Sequence, residues 1–361
     1  MATGIETYFV TNRNMVGRTA PWYGPNFHQD GSECYRAGKA GVTRDKDGEY
    51  RLVSATTYPE KPGEGGDDQG AKLGSTRLFA ELKQKMRSER RDLIVLIHGY
   101  ASAFAVACER AAELTDRYAV HGKDGVVRAP LVLVFSWPAN GETIPFASYI
   151  SDRQDAAKSG QAIARLFFRL CDFFTEEART ARIEERNGDK SAHAACTGRL
   201  HLLAHSMGNW ALRNALQVII ERRGWDRLPA IFDNIFLMAA DEDEDALEDR
   251  LKLGLLPRLG NAVHVYHSKD DQALMISDVT KLNPDRLGHN GPVDMDRTDD
   301  KVVTIDCRHF DVTELAHGNH QYYRRREEVI RDVCAVLSGQ RPEEIAGRRK
   351  LTHPRRYLLE R

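Results

Sequence analysis

The chain has 361 residues, of which 41% are hydrophobic and 29% charged, so it can bury a substantial core. Its 52 basic and 53 acidic side chains give a formal net charge of -1, which provides no overall attraction to nucleic acid or to an anionic membrane. No stretch reaches the ~18 apolar residues of a membrane span, and the N-terminus has no basic region followed by an apolar run. We therefore expect a cytoplasmic protein with no nucleic-acid partner and no membrane span.

Residues 1–90 contain short apolar pieces, YFV around Tyr8 and the segment EYRLVSATTYPE, separated by clusters of Gly, Pro and Asp. Such clusters are typical of turns and loops. The pattern predicts one or two edge strands joined by mobile loops, which belong to the same domain as the residues that follow.

From Leu93 onward, short apolar runs alternate with helical patterns, which is typical of βαβ units in a parallel sheet. The predicted strands are Leu93 to Ile97, Leu131 to Phe135, Leu200 to Ala204, Ile231 to Met238, Ala262 to Tyr266 and, as the last, Val302 to Ile305. Apolar residues recur at helical spacing from Ile163 to Phe174, and a second helix is predicted to end at Gly224. Residues 91–338 are thus expected to form an α/β core, a mostly parallel sheet flanked by helices, and the stretch from Met238 to Ala262 is too short for a large lid domain.

Two charged segments have simple structural interpretations. The run DEDEDALED, Asp241 to Asp249, favours the acidic first turn of a helix over a cation site. Residues 339–361 are rich in Arg and are predicted to be a basic C-terminal tail, either a solvated helix or an extended end.

The six cysteines show no C-x-x-C pair and no metal-ligand spacing. Free cysteine is commonly a small buried side chain, so we expect reduced thiols and no bound metal. No G-x-G-x-x-G or P-loop pattern follows a predicted strand, and we therefore expect no cofactor.

The segment RLHLLAHSMGNW places Ser206 between a predicted strand and a predicted helix. In a nucleophile elbow, the residues two before and two after the serine must be small. Here they are Ala204 and Gly208, and alanine replaces the glycine of the usual G-x-S-x-G pattern. We interpret Ser206 as a nucleophile rather than a helix N-cap, and expect His205 and Asn209 to pack or orient the elbow.

A second motif, HGY, ends the strand LIVLI at Tyr100. In an elbow fold, one oxyanion donor comes from the loop after this strand and the other from the residue after the serine. The predicted donors are therefore the backbone N–H groups of Tyr100 and Met207. We expect His98 to shape the loop.

These motifs, with FSWP at Phe135 to Pro138 and HSKDDQAL at His267 to Leu274, resemble an α/β-hydrolase. More narrowly, the chain resembles a little-characterised bacterial family of α/β-hydrolases in which TNR near the N-terminus, HGY, FSWP and AHSMGN recur in this order. The resemblance extends from about Glu6 to Leu337. It implies the fold and a serine hydrolase mechanism, but no substrate.

In this fold the triad order is Ser, then Asp or Glu, then His. Two adjacent carboxylates, Asp270 and Asp271, follow the strand AVHVY, and the resemblance favours Asp271 of D-x-A-L. Asp270 remains an alternative, as does Asp241, which follows the strand ending in FLMAAD.

The base is expected beyond the last predicted strand, in ELAHGNHQYY, which holds His317 and His320. The family pattern of a glycine, a histidine and then an aromatic residue matches Gly318, His320 and Tyr322. We favour His320, with His317 as the alternative.

The sequence thus predicts a serine hydrolase that cleaves small-molecule carboxylic esters, short-chain ones being the safest class, through an acyl-enzyme on Ser206. Thioesterase, lipase, amidase and acyltransferase activities are alternatives within this mechanism. A protein that uses the same cleft to bind a ligand or another protein without catalysis is the alternative of a different class. Trp137 and Phe146 are candidates for an acyl pocket or for the core. Pocket size, physiological substrate and oligomeric state are not specified by the sequence.

Overall fold

The structure, a computed structural model, describes residues 3–20, 22–59, 73–122, 124–141, 147–186, 198–274, 286–308 and 319–360. Within these ranges the strands are β1 (Thr3–Thr11), β2 (Arg13–Met15), β3 (Tyr23–Phe27), β4 (Arg36–Arg44), β5 (Tyr50–Thr57), β6 (Leu93–Ile97), β7 (Val120–His121), β8 (Val127–Arg128), β9 (Leu131–Ser136), β10 (Leu200–His205), β11 (Phe232–Met238), β12 (Gly260–His267), β13 (Val302–Asp306), β14 (Arg348–Lys350) and β15 (Arg356–Leu359). The α-helices in the same ranges are α1 (Gly74–Glu89), α2 (Phe104–Arg117), α3 (Ala147–Arg186), α4 (Gly208–Arg223), α5 (Leu287–Asn290), α6 (Tyr322–Arg325) and α7 (Glu327–Leu337).

The strands build one large sheet in the order β14-β15-β13-β12-β11-β10-β6-β9-β1-β4-β5. Neighbours from β15 to β1 run parallel, whereas β4, β5 and β14 are added antiparallel at the two ends. The predicted α/β fold with a mostly parallel sheet is confirmed. Turns and a short 3-10 helix, Leu256–Leu259, connect β11 to β12, and no lid domain is inserted there.

Each central strand is covered on both faces, as its continuous apolar sequence requires. In β6, Leu93, Val95 and Ile97 point to one face, and Ile94 and Leu96 point to the other. The first face is covered by α1, α3 and α4, and the second by α2 and α7. Alternate residues of each strand therefore contribute to two separate layers of core.

The winding direction of the sheet reverses between β6 and β10. The chain passes from β6 through α2 to β9 on one side, and then through α3 to β10 on the other side of β6. In open parallel sheets, ligands bind beyond the carboxyl ends of the strands at such a reversal. Ser206 directly follows β10, so the sequence-predicted nucleophile lies at the reversal.

The N-terminal region contains more regular structure than the loops and one or two edge strands predicted from it. β1 joins the parallel part of the sheet beside β9, and α1 packs against the core. This helix was missed, although Leu78, Leu82 and Met86 recur at helical spacing and are buried.

The acidic segment Asp241 to Asp249 forms turns and not the first turn of an α-helix, so that prediction was wrong. Its carboxylates pair with cations both from α4 and from the residues that follow the segment. Arg213 lies 3.1 Å from Glu242, and Lys252 lies 3.1 Å from Asp243. These ion pairs, rather than a helix dipole, balance the local negative charge.

Residues after Leu337 continue the fold where the sequence predicted a solvated helix or an extended end. Val302 to Ile305 forms a strand, β13, as predicted, but it is not the last strand, because β15 follows it in the chain and pairs with it in parallel. The buried guanidinium of Arg348 donates two hydrogen bonds to Asp332, of 2.6 and 2.7 Å, and Tyr266 donates to the same carboxylate at 2.5 Å. A paired arginine can be buried at a sheet edge, whereas its sequence pattern indicates solvent.

Among the described residues, no helix combines the length and the apolar character needed to cross a membrane. The described cysteines are free: Cys108, Cys171 and Cys307 are buried, and Cys34 and Cys334 are partly buried.

A buried polar chain crosses three strands of the sheet. Asn234 of β11 lies between His201 and His264, with nitrogen to nitrogen 3.2 Å on one side and His264 Nε2 to Asn234 Oδ1 3.0 Å on the other. Burial, assisted by the charge of Arg348, lowers the pKa of His264 from 6.5 to about 3. The ring is therefore neutral in the folded protein at neutral pH.

We expect His264→Gln to weaken the acid sensitivity of stability. His264 takes up a proton near pH 6.5 when unfolded but only near pH 3 when folded, so its stabilising contribution is present above pH 6.5 and is lost as the pH falls. Between pH 7 and pH 5 the wild type should lose about 2 kcal/mol of unfolding free energy relative to the variant. Denaturant unfolding at both pH values measures this difference. His121→Gln, a variant of an exposed histidine, is the control and should change with pH as the wild type does. If the unfolding free energy of His264→Gln fell with pH as steeply as that of the wild type, His264 would not be the source of the acid sensitivity.

Candidate active site

Ser206 occupies a sharp turn from strand into helix. Its φ angle is 54°, a left-handed conformation that a residue other than glycine rarely adopts without support. The support comes from hydrogen bonds on both sides: Ser206 N–H donates to Met238 O at 2.9 Å, and Asp241 N–H donates to Ser206 O at 3.2 Å. The Asn209 side chain also donates to Ser206 O, at 3.0 Å. These bonds fix a serine that is 6% exposed.

Gly208 shows why the elbow needs a small residue. A Cβ atom added there would lie 2.5 Å from Ile97 O and 2.7 Å from His98 O, both backbone atoms that cannot move away alone. The helix α4 therefore begins in direct contact with the end of β6.

We expect Gly208→Ala to lower the unfolding free energy by about 1–3 kcal/mol, because the methyl group overpacks the contact with β6. Thermal unfolding followed by circular dichroism measures the loss. Gly4→Ala is the matched control, since nothing lies within 4 Å of a Cβ atom added at Gly4. Equal midpoints for the two variants would contradict the steric argument.

The loop that follows β6 lies beside the elbow. A Cβ atom added at Gly99 would lie 2.9 Å from Ser206 Cβ, so only glycine permits this approach. Tyr100 comes next in the loop. Met207 is the N-cap residue of α4, and its N–H is one of the amides that lack a partner inside the helix. Met207 therefore adjoins Ser206 at the positive end of the α4 dipole, and Tyr100 follows the glycine that contacts Ser206.

Arg13 of the TNR segment braces this loop from beneath. The side chain is 1% exposed, and it donates to Ser102 O at 2.5 Å, to Ala139 O at 3.1 Å and to Ser136 Oγ at 2.9 Å. Burial lowers the pKa of Arg13 to about 9. One guanidinium therefore ties the loop after β6 to the loop after β9.

Asp152 of α3 adds a second brace. Its carboxylate accepts Ala101 N–H at 3.2 Å and Asn140 N–H at 3.1 Å. Burial raises the pKa of Asp152 to about 6, opposed by these hydrogen bonds. Ala101 has a φ of 52°, so this bond holds a strained residue directly after Tyr100.

The FSWP segment supports the same loop by packing. Trp137 is fully buried, its Nε1–H donates to His98 O at 2.8 Å, and its ring stacks on the His98 ring at 5.0 Å. Trp137 therefore belongs to the core under the loop and does not line an acyl pocket. Phe146, the other pocket candidate, lies outside the described residues.

The structure brings His320 and Asp271 into contact. His320 Nδ1 lies 2.7 Å from Asp271 Oδ2, and the Asp271 carboxylate is fully buried. The other oxygen, Oδ1, accepts Ala273 N–H at 3.1 Å and Leu274 N–H at 3.2 Å. The carboxylate is thus held by two backbone amides, while its second oxygen orients the imidazole.

The other predicted acids have different surroundings. Asp241 accepts a 2.5 Å hydrogen bond from Tyr149 and lies 3.6 Å from Arg286 Nε. Asp270 is exposed, and its N–H donates to Ser268 Oγ at 3.2 Å. Neither aspartate has a hydrogen bond to His320 among the described contacts. His317, the alternative base, and Gly318 lie outside the described residues.

The ring of His320 lies beside that of His205, the residue that precedes Ser206. The two imidazole centroids are 4.8 Å apart. No hydrogen bond joins Ser206 Oγ to His320 among the described contacts, and such bonds are often long in a free enzyme and tighten when substrate binds.

Within the described ranges, no group of three His, Cys, Asp or Glu side chains is arranged to hold a metal ion. The titratable side chains at the sheet reversal are instead used in pairs, as in Asp271 with His320 and Asp241 with Tyr149.

Sequence reasoning missed the two braces, Arg13 and Asp152. The TNR motif was noticed without a role for its arginine, and an arginine at the end of an apolar strand was a usable signal. Asp152 lies on a long helix in an ordinary polar position, and nothing in its neighbours indicates that its carboxylate is buried.

The mostly parallel sheet, the strand-to-helix turn at its reversal and the covering helices define an α/β-hydrolase fold. The family model described as "Alpha/beta hydrolase of unknown function (DUF900)" matches residues 75–178 and 190–341. The chain belongs to this family. No curated protein matches it. One solved structure, "The crystal structure of the gene lin2722 products from Listeria innocua", is 11% identical, with 75% of this chain and 99% of that chain covered and a TM-score of 0.31. A similarity at that level carries no conclusion.

Proposed function

We propose that the protein is a serine hydrolase that cleaves small carboxylic esters with short acyl chains through an acyl-enzyme on Ser206. The observation that carries this proposal is the contact between His320 Nδ1 and the buried Asp271 carboxylate, beside a serine held in a strained elbow. A hydrolase is consistent with the family, which is described as having no known function.

In the proposed reaction, His320 Nε2 takes the proton of Ser206 Oγ as the oxygen attacks the ester carbonyl. Asp271 keeps the proton on Nδ1, so that Nε2 is free to act as the base, and it stabilises the imidazolium that forms. The backbone N–H groups of Met207 and Tyr100 are the proposed donors to the oxyanion. His320 then gives its proton to the leaving alcohol and activates water to release the acid.

The strain at Ser206 supports this role over that of an ordinary helix N-cap serine. A left-handed φ at a non-glycine residue costs about 1–3 kcal/mol and persists where the surroundings impose it. The bonds to Met238, Asp241 and Asn209 impose it here. A serine that merely capped α4 needs no such conformation, because Met207 is the N-cap residue.

The proposal is tested with the purified protein on p-nitrophenyl acetate, butyrate and octanoate, together with covalent labelling by a fluorophosphonate. We expect labelling of one serine, and turnover that is highest for the shorter esters and does not rise steeply when octanoate passes its solubility limit. A steep rise at an oil-water interface would contradict the prediction of a site without a large lid. An unlabelled protein without turnover would contradict the hydrolase and favour a non-catalytic binding protein.

A further inference from the structure

His205, the residue before the nucleophile, is buried between two other rings. Its imidazole centroid lies 4.8 Å from that of His320 and 4.5 Å from that of Tyr323. The third side is closed by the loop after β6, where a Cβ atom added at Gly99 would lie 3.0 Å from His205 Nδ1. The side chain therefore touches the oxyanion loop, the elbow and the segment that carries the proposed base.

The polar contact of His205 is with the main chain of His320. His205 Nε2 lies 3.1 Å from His320 O. Because a carbonyl oxygen only accepts, the proton lies on Nε2, and Nδ1 is left as a buried atom without a hydrogen-bond partner. Burial, together with the nearby His320, Arg110 and Arg324, holds the pKa of His205 well below its ordinary value. The ring is therefore the neutral donor form at neutral pH.

The segment around His320 has a conformation that needs such support. Asn319 has a φ of 61°, and the short helix α6 begins at Tyr322. Asp271 fixes the end of the imidazole at Nδ1, and among the described contacts of His320 the bond from His205 is the one that reaches its backbone. Two anchors, one on the ring and one on the peptide, define where Nε2 points.

We propose that His205 is a positioning residue for His320. Its Nε2–H bonds the backbone of the proposed base, and because His205 directly precedes Ser206, this bond fixes the position of the base relative to the nucleophile. This inference rests on the proposed function. His205 does not exchange a proton with substrate. Its effect is geometric, and a displacement of about 1 Å in a reacting group lowers a rate by up to about 100-fold.

Three substitutions separate the hydrogen bond from the packing. His205→Gln keeps an N–H near the position of Nε2, His205→Asn has an amide too short to reach His320 O, and His205→Phe keeps a ring without a donor. His264→Phe is the matched control, because it also replaces a buried histidine of the sheet, in the middle of β12. Circular dichroism establishes that each variant is folded.

The first readout is the rate at which a fluorophosphonate labels Ser206, with kcat and KM measured on the best ester. We expect His205→Asn and His205→Phe to lower the labelling rate and kcat by roughly 10- to 100-fold with little change in KM. His205→Gln and His264→Phe should stay close to the wild-type rates. Wild-type rates in His205→Asn, or an equal loss in His205→Gln and His205→Asn, would overturn the proposal.

The second readout does not depend on turnover. The proton between His320 Nδ1 and Asp271 should give a downfield proton NMR resonance, which we expect in the wild type and His205→Gln and expect to be weakened or shifted in His205→Asn. If the wild type is not labelled, the proposed hydrolase function fails, and this resonance still decides the positioning role. A resonance that is identical in all the variants would exclude it.

Discussion

Ser206→Ala is expected to abolish ester hydrolysis and fluorophosphonate labelling while leaving the fold intact. The substitution removes only the hydroxyl oxygen, and the hydrogen bonds that impose the left-handed φ at this position use backbone atoms of residue 206. Alanine keeps those bonds, so the elbow should persist without a nucleophile. We expect kcat to fall on the order of 10⁴-fold or more, with the remaining rate supplied by substrate binding and the oxyanion donors.

The measurement is hydrolysis of the best p-nitrophenyl ester by both proteins, with intact-mass detection of the labelled serine. The thermal midpoint of Ser206→Ala should match that of the wild type, which would show that the variant is folded. Ser338→Ala is a second control, which should be labelled and turn over like the wild type, since Ser338 is an exposed serine after α7 that donates its hydroxyl proton to Ala335 O at 2.7 Å. Turnover by Ser206→Ala at the wild-type rate would exclude Ser206 as the nucleophile.

Asp271→Asn is expected to have the second-largest effect, a loss of about 10⁴-fold in kcat. Asp271 Oδ1 accepts two backbone amides, so an asparagine keeps its oxygen there and turns its NH2 group toward His320 Nδ1. Nδ1 must then accept a hydrogen bond, which moves the proton to Nε2. In this tautomer His320 cannot accept the proton of Ser206.

The matched controls are Asp270→Asn and Asp241→Asn, the two alternatives left open by the sequence. Asp270→Asn should leave kcat unchanged, because the carboxylate is exposed and the contact of His320 Nδ1 is with Asp271. Asp241→Asn removes the negative charge that faces Arg286 and leaves one acceptor oxygen for Tyr149 and Arg286 together, so it should lower the thermal midpoint more than kcat. A loss of kcat in Asp241→Asn as large as in Asp271→Asn would reassign the acid.

The strands of the core were predictable because their burial on both faces leaves a direct trace in the sequence. β6, β9 and β10 begin where the apolar runs begin, and they end within one residue of the predicted ends. α4 ends at Arg223 with Gly224 as its C-cap, as predicted. The edges were not predictable in the same way. β14 and β15 carry four arginines and lysines between them, and their place in the sheet depends on Asp332 and on pairing with β13, which are not their neighbours in the sequence.

The candidate site divides along the same line. Ser206, Ala204 and Gly208 are local features of one turn, so the spacing of small residues was enough to propose the elbow. The choice among Asp270, Asp271 and Asp241 is a question of which carboxylate meets a histidine from another part of the chain. Spacing along the chain cannot answer it, since all three follow strands that end at the same edge of the sheet.

The sequence by itself determined the parallel core, the position of the elbow and the family resemblance, because each depends on neighbours close along the chain. Only the tertiary structure placed Asp271 on His320, Arg13 under the oxyanion loop and His205 against the backbone of His320. Those contacts join residues that are 49, 89 and 115 positions apart. Local sequence preferences do not act over such separations, and the packing of the sheet and its covering layers brings these residues together.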